Sequence, residues 1–192
     1  MISYQALQSP ELMNRLCHHP YSETHRGQYE RLVTAGFVHG SWGHLFINMF
    51  VLYQFGGMIE ELFVSIFGSL LGNVLFLVFY FSAIVIANLG TLFRYKDYSG
   101  FSSVGASGVT SALLFIYAMF APWEWFIFPP VPAIVFAILY VVYSSWASKN
   151  TNDRIDHMAH LWGGVYGIVF LLVTYPRSFN IFLERFLSGM PF

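Results

Sequence analysis

Three short constellations in this sequence could do chemistry. In Val38-His39-Gly40-Ser41-Trp42-Gly43-His44-Leu45-Phe46-Ile47-Asn48, an imidazole and a carboxamide, His44 and Asn48, stand four residues apart, which on a helix puts both on one face. Each can donate a hydrogen bond, either to a neighbouring helix or to a developing negative charge. In Gly105-Ala106-Ser107-Gly108 a hydroxyl has small neighbours on both sides and opens an apolar stretch. The unpaired N–H groups and positive dipole end of a helix N-terminus would suit an oxyanion there. The same small residues are also common contact material between helices. In Asp156-His157-Met158-Ala159-His160-Leu161-Trp162-Gly163-Gly164-Val165-Tyr166-Gly167, the residues His160, Gly163 and Gly167 fall at i, i+3 and i+7. They share a helix face on which Gly-x-x-x-Gly admits a closely packed partner. A serine and a histidine brought together make a nucleophile and a general base.

The elements that must position them are membrane spans. Of 192 residues, 56% are hydrophobic and only 10% are charged, far below the quarter or so of charged residues in an ordinary soluble domain. Such a chain cannot cover a water-facing surface, and its apolar side chains must be solvated by lipid. A net charge of −1 without a basic stretch removes the footprint that nucleic-acid binding needs, so no nucleic-acid partner is expected. Cys17, the single cysteine, forms no intrachain disulfide. Residues 1–15 contain no apolar h-region and do not read as a signal peptide.

Apolar runs near 42–60, 64–93, 104–121, 127–147 and 157–175 are each about as long as a bilayer crossing requires. The reading is therefore an all-α, polytopic membrane helical bundle with five visible spans. Residues 1–41 form an N-terminal segment lying on or embedded in the membrane, 42–175 the transmembrane core, and 176–192 an amphipathic tail. Five spans put the N-terminal segment and the loops near 94–103 and 148–156 at one end of the bundle. His44, Ser107 and His160 lie close to the starts of the first, third and fifth spans, so all three share a depth at that end. A common cavity explains this better than chance, because polar groups at membrane depth are costly. No carboxylate lies inside a span to orient the histidine, so the chemistry would be a two-residue Ser–His device.

The ordered set, His44-x-x-x-Asn48, Gly105-Ala106-Ser107-Gly108 and Ala159-His160-x-x-Gly163-x-x-x-Gly167, with Gly56-Gly57-Met58-Ile59-Glu60 closing the first span, resembles the rhomboid family of intramembrane serine proteases over residues 29–175. The resemblance implies Ser107 as catalytic nucleophile and His160 as general base. It implies an oxyanion hole from His44, Asn48 and the Ser107 N–H, with Gly163 and Gly167 packing against the Ser107 helix. It further implies single-pass membrane proteins as substrates, the lipid bilayer as surroundings, and no cofactor or metal.

This chain departs from the family pattern at several points. Family cores have six spans, and the first is expected to be missing or reduced to residues 2–7. Tyr29-Glu30-Arg31 stands where a Trp-Arg pair is often found, and position 111 is serine where many members carry an aromatic that stacks on the histidine. Arg15, Arg26, Arg31, Arg94, Lys96, Lys149 and Arg154 at the site's end, against Arg177 and Arg185 at the other, favour a cytoplasmic site by charge. The resemblance implies the opposite orientation, in a multi-pass protein of the cell membrane if the source is bacterial. Two alternatives compete with the protease: a catalytically inactive relative that binds membrane proteins, and a metalloprotein using His44, His157 and His160. A transporter would need broken-helix pairs in two halves, which the sequence lacks.

Overall fold

The structure, a computed structural model, describes residues 2–127, 129–150 and 155–189. Four short helices come first: α1 (Ile2–Gln8), α2 (Pro10–Leu16), α3 (Pro20–Arg26) and α4 (Arg31–Thr34). Local chemistry sets their limits. Ser9 caps α2 by accepting the Leu12 N–H, and Pro10 occupies the first turn, where a missing N–H costs nothing. His19 caps α3 by accepting the Ser22 N–H, and Gly27 ends that helix in the left-handed region at φ 67°. The N-terminal segment is therefore a folded layer. Its Ala6, Cys17, Leu32, Ala35 and Val38 are buried, and Asn88 of the bundle donates to the Leu32 carbonyl at 2.8 Å. Arg31 clamps the layer, donating to the carbonyls of Asn14 (2.6 Å) and Cys17 (3.0 Å).

Five apolar helical stretches make the bundle. The first runs Trp42–Phe67 as α5 (Trp42–Val51), a π-helical turn over Leu52–Gly56, and α6 (Gly57–Phe67). It is followed by α7 (Ser69–Tyr95), α8 (Ser107–Phe120), α9 (Ala133–Asn150) and α10 (His157–Thr174). Trp42–Phe67, Ser69–Tyr95 and His157–Thr174 are long and apolar enough to cross a membrane; Ser107–Phe120 and the α9 stretch are shorter apolar helices.

Boundaries differ from the sequence expectation for identifiable reasons. The first stretch extends past residue 60 to Phe67 and stops at Gly68, whose φ of 81° breaks the helix. α9 begins at Ala133 and not near 127, since Pro129, Pro130 and Pro132 lack the N–H that a helix interior uses and so interrupt the apolar run. Trp125 and Pro132 form an isolated bridge there.

The core lies where α6, α7, α8 and α10 meet. Phe63, Phe79, Leu113, Ile116 and Leu171 are fully buried, with Phe63 stacked on Phe170 at 6.1 Å. Lipid is as apolar as these side chains, so association depends on close packing and not on escape from water. Small residues provide it. A Cβ on Gly163 would lie 2.1 Å from the Gly108 carbonyl oxygen, and one on Gly167 would lie 2.5 Å from that of Ala112. The tail forms α11 (Arg177–Ser188), docked on the far end of α8: Trp123 donates to the Phe186 carbonyl at 2.9 Å, and Arg185 donates to that of Phe120. Arg154 and the last three residues of the tail lie outside the described residues.

The three segments expected at one end do meet there. His18 and Ser103 exchange backbone hydrogen bonds of 2.9 and 3.0 Å, joining the N-terminal layer to the loop before α8. Ser103 in turn donates to Asp156 at the start of α10 at 2.7 Å.

The packing generates one prediction. Gly163→Ala drives a methyl into the backbone of α8 and should cost about 1–3 kcal/mol of stability. Gly57→Ala, where the added carbon meets nothing within 4 Å, should cost none. Thermal unfolding in detergent measures both, and equal stability of the two variants would refute the close contact.

Candidate active site

Ser107 is the first residue of α8, because the residue two before it cannot be helical. Gly105 has φ 120°, a conformation open to glycine. A Cβ there would also fall 2.5 Å from His44 Cε1 and 2.7 Å from His44 Nε2. The glycine thus makes the turn and seats the imidazole of His44 against the backbone leading into Ser107. Two hydrogen bonds hold the turn from below: Gly105 N–H to the Ala35 carbonyl at 2.9 Å, and Ala106 N–H to His39 Nε2 at 3.4 Å. With Nε2 accepting, the neutral ring carries its proton on Nδ1, 3.2 Å from Ser3 Oγ. His39 is 2% exposed. Burial, reinforced by the nearby His44, lowers its pKa to about 4.

His160 is set by a cap. Asp156 Oδ1 accepts the Ala159 N–H at 2.9 Å and the Thr91 hydroxyl at 2.7 Å, while Oδ2 takes the Ser103 hydroxyl. This buried carboxylate fixes the first turn of α10 against α7 and the loop before α8. It also sits at a helix N-terminus, where a negative charge is favoured. Its oxygens are engaged in scaffolding and do not make it the third member of a triad.

One turn further on, α10 meets α8. Besides the Gly163 contact, a Cβ on Gly108 would lie 3.4 Å from the Ala159 carbonyl oxygen. The residue after Ser107 therefore packs beside the residue before His160. Both side chains line one cavity of about 1670 Å³, together with His44, Asn48, Thr110 and Tyr140.

Asn48 is buried, and its amide is aimed by two contacts. Thr110 donates to its Oδ1 at 3.1 Å, and its Nδ2 donates to the His44 carbonyl at 2.8 Å. A carboxamide nitrogen carries two protons, so this orientation leaves one N–H for the cavity. Below Asn48 the helix widens into the π turn at Leu52–Gly56, a feature found often at functional sites. His157 is buried with its ring edge-on to His160 at 5.9 Å. Among the described residues, no three His, Cys, Asp or Glu side chains are grouped to hold a metal ion.

The structure thus brings Ser107, His160, His44 and Asn48 to one cavity, with Gly163 and Gly167 on the contact behind it. Sequence reasoning missed Asp156, Thr110 and Tyr140. Asp156 did carry a signal: an aspartate directly before an apolar helix is a preferred N-cap. Thr110 carried a weaker one, lying one turn after Ser107. Tyr140 carried none, since α9 is apolar on all sides and its periodicity singles out no face.

The rhomboid domain family matches residues 26–177, a stretch containing every one of these groups, and the chain belongs to that family. It is similar to RHOMBOID-like protein 12, mitochondrial, of Arabidopsis thaliana, with 28% identity over 155 residues, covering 74% of this chain and 46% of that protein. It is also similar to Rhomboid-like protein 11, chloroplastic, of the same plant, with 31% identity over 161 residues, covering 77% of this chain and 54% of that protein. The chain spans about half the length of these relatives.

His39 generates a pH prediction. Its folded pKa of about 4 lies below the usual 6.5, so between these values the unfolded chain binds a proton that the folded one refuses. The contribution is complete above pH 6.5 and is lost as pH falls toward 4. Unfolding temperature in detergent should drop between pH 7 and pH 5, and His39→Gln should flatten that drop; an identical slope in the variant would contradict the assignment.

Proposed function

We propose that this chain is a multi-pass membrane serine endopeptidase that cleaves membrane-spanning or membrane-proximal segments of single-pass membrane proteins with a Ser107–His160 dyad. The observation that carries the reading is the contact of α8 with α10 through Gly108, Ala159 and Gly163, with Ser107 and His160 lining the same cavity.

Helix length supports a submerged site. The 14 residues of α8 rise about 21 Å against a hydrocarbon core of about 30 Å. If the Phe120 end reaches the far interface, Ser107 lies several ångströms inside the near one. A peptide carbonyl delivered laterally from the bilayer would meet Ser107 there.

His160 takes the hydroxyl proton as Ser107 Oγ attacks the carbonyl carbon, and the oxygen becomes an oxyanion. Its donors are the Ser107 N–H, unpaired at the first position of a helix, the second N–H of Asn48, and the ring of His44. On collapse of the intermediate the C–N bond breaks, and His160 returns the proton to the leaving amine. A water then repeats the sequence on the acyl-enzyme, releasing the acid and the free Ser107 hydroxyl. A Ser–His pair lacks a carboxylate behind the imidazole, so its rate depends on the hole and on positioning.

The test is cleavage of a single-pass reporter by purified protein in detergent. Ser107→Ala and His160→Ala should each abolish cleavage with unfolding temperatures unchanged, and retained cleavage by either would refute the dyad. Loss of one oxyanion donor costs about 2.7–4 kcal/mol in a serine protease, so Asn48→Ala should slow turnover about a hundredfold or more. A smaller loss would assign the hole to His44 and the backbone.

A further inference from the structure

Position 111 carries no ring to stack on His160, yet His160 has one. Tyr140 of α9 stacks on the imidazole with centroids 5.7 Å apart and planes 25° from parallel. Its hydroxyl lies 2.8 Å from Ser111 Oγ, and Ser111 Oγ lies 2.7 Å from the Ser107 carbonyl oxygen. A carbonyl only accepts and serine has one proton. The direction of the chain follows: Tyr140 O–H donates to Ser111 Oγ, and Ser111 O–H donates to the Ser107 carbonyl. Tyr140 also stacks on Phe136 at 5.8 Å and meets Phe115 edge-on at 6.1 Å, which leaves the ring little freedom to turn.

We infer that Tyr140 is a positioning residue for the general base. Its ring sets the plane of the His160 imidazole, and the Tyr140–Ser111–Ser107 chain ties that ring to the backbone of the nucleophile. The distance and angle between base and nucleophile are thereby set by a third helix, α9. Ser111, which leaves room for the phenol, is part of the same device. The inference rests on the dyad reading given above. Misplacing a reacting group by about an ångström costs on the order of a hundredfold in rate, which is the size of effect at stake.

The test is steady-state cleavage of the single-pass reporter by Tyr140→Leu, Tyr140→Phe and Ser111→Ala, with Ser107→Ala measured alongside. Tyr140→Leu should lower kcat by about thirtyfold or more with KM within about twofold. Tyr140→Phe and Ser111→Ala keep a ring against His160 and cut only the tether, so each should lose about threefold to tenfold in kcat. Rescue by phenylalanine separates positioning from fold stability, since a merely structural role would move KM and unfolding temperature as well. Wild-type kcat in Tyr140→Leu, or equal losses in the leucine and phenylalanine variants, would overturn the inference. If Tyr140→Leu does not fold, wild-type kcat in both tether variants would overturn it. Activity remaining in Ser107→Ala would instead bring down the dyad itself, a failure distinguishable from that of Tyr140.

Discussion

The close approach of α8 and α10 is the constraint on which the rest depends. Backbone meets backbone at Gly108 and Gly163, and again at Ala112 and Gly167. In lipid no hydrophobic force drives this pairing, so it rests on van der Waals contact at short range. Any side chain larger than hydrogen at Gly163 would separate the helices and move His160 away from Ser107. The proposed chemistry and the packing therefore share a surface: the stripe that lets the helices touch lies immediately beside the residues that line the cavity.

Polar contacts then hold the site's end of the bundle. Asp156 gathers α7, the loop before α8 and the first turn of α10, and His18 ties the N-terminal layer to the same loop. Arg31 and Asn88 fasten that layer to itself and to α7. Hydrogen bonds shielded from water are costly to break, because the freed groups find no substitute. At the opposite end the contacts are mostly aromatic, with Trp123 stacked on Phe186 and Phe67 edge-on to Tyr175. A preorganised polar end suits a site in which donors must already point at a charge before it develops.

Much of this was legible in the sequence because each feature had its own local signature. His44 and Asn48 announce a shared face by spacing, Gly163 and Gly167 announce a close contact, and the low charge announces lipid. Chain direction alone puts the starts of alternate spans at one end. What escaped was of several kinds. Helix limits near 60–68 and 127–133 depended on Gly68 and on three prolines, whose effects compete with a continuous apolar run that hides them. Tyr140 and Thr110 depend on which face of one helix meets another, and the His39 contact with Ala106 joins two loops far apart in sequence. Periodicity cannot supply that when a helix is apolar all round. The π turn at Leu52–Gly56 likewise has no unambiguous sequence mark, since Gly56 weakens an α-helix without specifying a π turn.

Whether His160 activates Ser107 is read from the site and rate of reaction with a fluorophosphonate, followed by mass spectrometry of the intact protein and its peptides. If it does, a single adduct forms on Ser107 and is lost in His160→Ala while the protein remains folded. An adduct on another residue, or undiminished labelling of Ser107 without the imidazole, would contradict it.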